Sequence, residues 1–221
     1  MTKPKAGSKH TIFFDFDNTI TTHDVLDDIL ARFAADDRWV DLEKRWKEGK
    51  IGSRECLQGQ MESIRVTKKA LDDYLAKIKI DPYFPKLLGF FDSRGFKTLI
   101  ISDNFDYILK GILHKHNIRN MEVYSNSVKV VDDRLVPSFP LTNSECGDCA
   151  HCKKSTLKDK LEDGALSVYI GDGLSDVCAS KEADIVFAKS YLMEYFSANK
   201  LPHIPFKGLI DVYDYFKRSA I

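Results

Sequence analysis

An excess of charge of either sign is what this 221-residue chain lacks most plainly. Lys and Arg total 33, Asp and Glu total 33, and the formal net charge is zero. Such a balance gives no pull toward nucleic acid or an anionic membrane surface. Also missing is any apolar run near the ~20 residues that span a bilayer. Residues 1–10 are polar and basic without an apolar stretch, so they do not read as a secretory signal; the expectation is a disordered tail. The chain holds no internal repeat and no low-complexity segment. Cysteine is sparse, five in all, with three close together. Free or metal-bound thiols in a reducing, cytoplasmic setting are the expectation. Hydrophobic residues at 43% and charged residues at 30% are ordinary for a globular protein. The length suits one large α/β domain, or a core with a modest insertion.

What is present centres on residues 11–24, T-I-F-F-D-F-D-N-T-I-T-T-H-D. An apolar, β-prone run enters a polar turn, as at the end of a buried strand. Residues two apart on a strand share a face, so Asp15 and Asp17 are expected in one cleft. Crowded carboxylates repel unless a cation or proton relieves them. A divalent metal with oxygen ligands, one carboxylate attacking and the other moving a proton, accounts for the pair. An Asx turn closing the strand is the bland alternative.

Residues 24–80 read as four short amphipathic helices, with Asp24, Ser53 and Thr67 at cap positions. Together they suggest a small helical cap over residues 23–81, closed by Asp81-Pro82. Trp39 and Trp46 read as core rather than substrate platform, and Cys56 as cap core. From residue 83 helices and strands alternate, with strands at 96–101, 122–131, 134–139, 166–170, 185–187 and 203–206. That pattern indicates a mostly parallel sheet with helices on both faces and a core of residues 11–22 and 82–221. Ligands in such sheets collect at the carboxyl ends of the strands.

Polar signatures stand at those ends. Ser102, with Asp103 and Asn104, opens what reads as a helix at 104–116, a ready anion site; capping is the alternative. G-D-G-L-S-D supplies Asp172, expected beside Asp15 and Asp17, and Asp176, suited to hold a lysine or a metal-bound water. Lys153 opens a helix between them. Its ammonium would neutralise a phosphate and an attacking carboxylate, although most lysines are simply solvated.

The order D-x-D, Ser, Lys, G-D-G-x-x-D resembles the haloacid dehalogenase superfamily of phosphohydrolases, in the branch whose helical cap follows the first motif, as in phosphoserine phosphatase. The resemblance implies a Rossmann-like core and Mg2+. It makes Asp15 the nucleophile, Asp17 the acid and then base, and Ser102 and Lys153 the phosphate ligands. Asp15, Asp172 and the Asp17 carbonyl would hold the metal, with Asp176 in support. Ser102-Asp103-Asn104 replaces the usual Ser-Gly-Gly, and Ser175 the usual Asn. These departures look more like phosphoethanolamine/phosphocholine phosphatases or the methionine-salvage phosphatase for 2-hydroxy-3-keto-5-methylthiopentenyl-1-phosphate.

An acid at Asp103 near the phosphate favours a substrate amine, unless Asp103 caps a helix and faces solvent. The candidate substrate-binding set is Thr19, Asp24, Arg54, Asp103, Asn104, Gly173 and Ser175. His23 reads as an ordinary loop residue. Cys146, Cys149 and Cys152, spaced C-x-x-C-x-x-C around His151, suit a structural Zn2+ whose fourth ligand is His151, Cys178 or water. The expected activity is a magnesium-dependent phosphomonoesterase for a small soluble phosphate ester, with no nucleic-acid or membrane partner, acting as a monomer or homodimer. The alternatives are a phosphotransferase or mutase on this fold, or a metal-thiolate protein with a vestigial cleft.

Overall fold

The computed structural model describes residues 9–219. Residues 1–8 of the expected tail lie outside the described residues. His10 is no part of a tail: it opens strand β1 (His10–Phe14), all five residues of which are buried. Four helices follow: α1 (Val25–Phe33), α2 (Arg38–Lys47), α3 (Ser53–Ser63) and α4 (Lys68–Leu75). Then come α5 (Phe84–Ser93), β2 (Lys97–Phe105), α6 (Asp106–Lys115), β3 (Glu122–Val131) and β4 (Arg134–Ser138). The chain closes with α7 (Lys153–Lys160), β5 (Leu166–Gly171), a 3-10 turn (Leu174–Asp176) running into α8 (Val177–Ser180), β6 (Ile185–Ala188), α9 (Ser190–Ala198), β7 (Ile204–Pro205) and α10 (Leu209–Arg218).

The strands form one sheet in the order β4-β3-β2-β1-β5-β6-β7. All neighbours are parallel except the β3–β4 hairpin. Its turn, Asp132-Asp133, has both φ angles positive, the geometry of a two-residue hairpin. β1 is central, paired with β2 and β5. Burial on both faces explains why its run F-F lacks polar alternation. The ends of β1, β2 and β5 therefore lie side by side, and each delivers one of the polar signatures.

Asp24 and Thr67 cap α1 and α4 as expected, accepting from the N–H groups of Asp27 at 3.0 Å and Ala70 at 3.1 Å. Ser53 does not cap α3; Gly52 holds that position. The segments leading into and out of the four helices pair through a bridge between Thr21 and Ile80. The four helices and the sheet share one hydrophobic cluster, in which Val25, Ile29 and Leu71 join Phe14, Phe84 and Phe105. Strand β2 runs on to Phe105, so Ser102 does not open a helix; α6 begins at Asp106.

Thr67→Ala removes the α4 cap, an exposed bond far from the strand ends. Urea unfolding is expected to show a loss of about 1 kcal/mol with unchanged slope.

Candidate active site

At the mouth of the sheet is a cleft of about 360 Å³, the size of a small-metabolite site. Asp15, Asp17, Ser102, Lys153 and Asp172 all line it, joined by Asp24, Asp103, Asn104, Gly173 and Ser175 from the expected set. Asp15 follows β1 directly, its N–H donating to Ile170 O at 2.9 Å. Lys153 is 3% exposed, and its Nζ donates to Asp15 Oδ1 at 2.6 Å and Asp176 Oδ1 at 2.7 Å. Burial works against that ammonium, but Asp15 and Asp176 outweigh it and hold its pKa well above the usual lysine value. Asp15 is raised in turn, by burial and by Asp176, against the pull of Lys153. One buried cation serves two carboxylates, with Asp172 close by.

Asp176 is the organiser of this group. Its Oδ1 also accepts from Tyr169 Oη at 2.8 Å, and its Oδ2 from the N–H groups of Asp172 and Gly173 at 3.0 and 2.9 Å. A Cβ on Gly171 would stand 2.6 Å from Asp176 Oδ2, so this carboxylate reaches its place only past a glycine. Oxygens of Asp15, Asp172 and Asp176 lie within 4.8 Å of one another. Since protein donors already surround both Asp176 oxygens, Asp15 and Asp172 are the carboxylates with room for a metal. Burial, and then Asp176, push Asp172 up to about 7, the mark of negative charge short of a counterion. The donor set is all oxygen and suits a hard divalent cation.

Asp17 is held differently. Its Oδ1 accepts from the Val25 N–H at 2.9 Å and its Oδ2 from Asn104 Nδ2 at 2.9 Å. Burial raises it to about 6, with Asn104 and Val25 pulling it down. Asn104 thus positions Asp17 across the cleft. Ser102 is 1% exposed, and its Oγ accepts from the Asn104 N–H at 3.1 Å.

Several expectations change. Asp103 neither caps α6 nor faces solvent: it lines the cleft, its Oδ1 is buried without a hydrogen-bond partner, and burial raises it to about 6. Thr19 is buried and Arg54 is exposed, and neither lines the cleft. Arg54 instead donates from its N–H to Asp148 O and from Nη2 to Gly147 O, each at 3.1 Å. Trp46 does line the cleft, as does Cys56, which is also buried in the cap as expected. His23 lies 3.9 Å from Asp28, outside the lining. The cysteine loop does not gather three thiols to ligand distance of one another; Cys146 and Cys152 are in contact at 3.5 Å.

Other groups had no sequence signal. Asp27, Glu43 and Gln60 line the cap side of the cleft, on helices whose pattern reports only packing. Burial and Asp24 push Asp27 up to about 7, and burial and Asp17 push Asp24 up to about 7. His151 is no metal ligand. Its Nδ1 meets Ser102 O at 3.0 Å and its Nε2 meets Thr156 Oγ1 at 2.7 Å. A carbonyl only accepts, so Nδ1 carries the proton and Nε2 accepts from Thr156.

A family model described as Putative Phosphatase matches residues 10–201. A protein of Exiguobacterium sibiricum named 2-hydroxy-3-keto-5-methylthiopentenyl-1-phosphate phosphatase is 27% identical over 215 residues, covering 95% of this chain and 97% of its own. One of the same name from Brevibacillus brevis is 26% identical over 210 residues, covering 93% and 94%. A solved phosphoserine phosphatase, a phospho-aspartyl intermediate analogue, superposes with a TM-score of 0.73 at 20% identity, covering 94% of this chain and 99% of its own.

Burial holds the His151 imidazole at about 4, below its ordinary 6.5. Stability from neutral His151 is whole above pH 6.5 and is lost as pH falls toward 4, by roughly 3 kcal/mol. Urea unfolding from pH 7 to 4.5 is expected to fall more steeply for the unmodified chain than for His151→Gln.

Proposed function

Since the chain belongs to the Putative Phosphatase family and has the haloacid dehalogenase fold of phosphoserine phosphatase, we propose that this phosphatase hydrolyses a small phosphate monoester through an aspartyl-phosphate on Asp15. The observation that carries the reading is Lys153 clamped between Asp15 and Asp176, with Asp172 in ligand reach and Asp17 held apart by Asn104. An Asp15 oxygen attacks phosphorus and the bond to the leaving alcohol breaks. The Asp17 carboxyl donates its proton to the departing oxygen. Water then attacks the phosphorus of the acyl phosphate, Asp17 takes its proton, and phosphate leaves with Asp15 restored. A pKa near 6 suits a group that works first as acid and then as base. Ser102 and Lys153 bind the phosphoryl oxygens.

Asp15 and Asp172, with the Asp17 backbone carbonyl, would hold a magnesium ion. Its charge would offset the crowded carboxylates and the phosphate, on the grounds of the oxygen donors and the raised Asp172. Residues 23–81 would act as a cap that closes the cleft and excludes water. The cysteine loop takes no part in this chemistry.

The cap side of the cleft favours a leaving alcohol that carries an amine. Asp103 offers a buried, unpartnered carboxylate oxygen, and Asp24, Asp27 and Glu43 extend the acidic wall beside Trp46. A cation there offsets the burial and the repulsion between neighbouring acids that raise Asp24 and Asp27 and can stack on the indole. The name of the bacterial relatives keeps a keto-pentenyl phosphate as the competing substrate.

Phosphate release from phenyl phosphate with magnesium is expected to vanish in Asp15→Asn and with EDTA, and to fall about 10²–10⁴-fold in Asp17→Asn. Folded protein with no turnover of any phosphate ester would overturn the reading. Asp103→Asn is expected to raise KM for an aminoalkyl phosphate about tenfold more than for phenyl phosphate, one charged hydrogen bond's worth. An equal effect on both, with preference for the keto-pentenyl phosphate, would remove the amine.

A further inference from the structure

Ser102 and Lys153 line one cleft but come from different parts of the fold. Ser102 lies near the end of β2, and Lys153 opens α7. Two groups that take oxygens of the same phosphoryl group need a fixed separation, and a shift of about 1 Å in such a site can cost about 10²-fold in rate. The sheet alone does not fix Ser102. Strand β1 pairs with β2 only as far as Ile100, and the register of β2 with β3 shifts after Ser102. The Ser102 carbonyl therefore sits where the ladder loses its regularity, and a buried carbonyl needs a donor.

An imidazole reaches it there. His151 is 2% exposed, and its Nδ1–H donates to Ser102 O at 3.0 Å. Its Nε2 accepts from Thr156 Oγ1 at 2.7 Å. Thr156 is one turn into α7, its N–H donating to Cys152 O at 3.1 Å, and the Lys153 N–H donates to His151 O at 3.0 Å. One planar ring thus spans from the end of β2 to the helix that carries Lys153. Bonded at both nitrogens, it has no freedom to turn without breaking one of those bonds. The Ser102 Oγ accepts from the Asn104 N–H at 3.1 Å, which leaves its own O–H to donate to a phosphoryl oxygen. His151 does not line the cleft, so it meets a substrate only through Ser102 and Lys153.

We propose that His151 is a positioning residue, whose imidazole sets the separation of Ser102 and Lys153 so that both meet one phosphoryl group. The inference rests on the reading that these two groups bind the phosphoryl oxygens. It requires no proton transfer by the ring. Asparagine can place an amide N–H near the position of Nδ1, whereas glutamine places its amide near the position of Nε2. The two substitutions therefore separate the bond to Ser102 from the bond to Thr156.

The test compares the whole chain with His151→Ala, His151→Asn, His151→Gln and Thr156→Val. Phenyl phosphate hydrolysis with magnesium is one readout; binding of orthovanadate and of inorganic phosphate, which needs no turnover, is the other. Orthovanadate takes up the five-coordinate geometry of phosphoryl transfer, so it reports alignment, and phosphate reports simple binding. His151→Ala is expected to lower kcat about tenfold or more with KM changed less than about threefold. It is expected to weaken vanadate about tenfold and phosphate less than about threefold. His151→Asn should recover most of both losses and His151→Gln neither, while Thr156→Val, which frees one end of the ring, falls between. Unchanged kcat and vanadate affinity in folded His151→Ala would overturn the role. So would recovery by glutamine equal to that by asparagine, or losses that track urea stability across the variants. If His151→Ala does not fold, the contrast of asparagine with glutamine decides. An unmodified chain that binds vanadate but turns over no ester would sink the hydrolytic reading and leave His151 to be judged on vanadate; one that binds neither anion would overturn this inference.

Discussion

The ammonium of Lys153, buried between Asp15 and Asp176, is the contact on which the rest of the cleft depends. A charged group taken from water loses several kcal/mol of solvation, recovered only with close partners and saturated hydrogen bonds. Lys153 has two partners at under 3 Å, and Asp176 has four donors. The surplus of negative charge is left on Asp15 and Asp172, the two carboxylates with free faces. The protein thus leaves an unmet demand for a cation beside Asp15 and Asp172, and a second along the acidic wall, where Asp103 Oδ1 is buried without a partner. A phosphatase needs that bias, because its substrate brings still more negative charge.

The sheet turns this ion group into a cleft. With β1 at the centre, flanked by β2 and β5, three chain segments far apart in sequence end within a few ångströms. Parallel strands place all their carboxyl ends on one side, and the polar residues sit where the backbone hydrogen bonding runs out. Burial then tunes each carboxyl by its neighbours. Asp17, hydrogen-bonded by Val25 and Asn104, stays near 6, whereas Asp172, crowded by Asp176, reaches about 7. Burial raises both aspartates first; Asn104 and Val25 then pull Asp17 down, whereas Asp176 pushes Asp172 further up.

The four helices α1 to α4 are less independent of the sheet than their contiguous place in the chain suggests. Their apolar faces merge with the core in one cluster, and the start of α3 is tied to the cysteine loop through the Arg54 N–H and Asp148 O. Any opening has to work against those contacts or hinge around them. Asp24, Asp27 and Glu43 line the same cleft as Asp15, Asp17 and Asp172, so on the proposed hydrolysis the choice of leaving group and the management of charge are one problem.

How far this was legible follows from the kind of signal each residue leaves. The strand carrying Asp15 and Asp17, the G-D-G turn with Asp172 and Asp176, and the caps at Asp24 and Thr67 are local patterns, and local backbone physics writes them into the sequence. Ser102 was found but misplaced at a helix start, since the continuation of β2 to Phe105 depends on pairing with β3. Arg54 and Trp46 exchanged roles: an arginine suited to phosphate binds the Gly147 carbonyl, and a tryptophan that reads as core opens onto the cleft. By itself the sequence determined the alternating α/β order and the acids at the strand ends, because strand, turn and cap preferences act over a few residues. Tertiary structure alone decided which acid keeps a free face, that His151 holds Ser102 rather than a metal, and that Asp103 turns inward. Those outcomes depend on burial and on partners up to 138 residues away, as Lys153 is from Asp15, and no short window of sequence contains them.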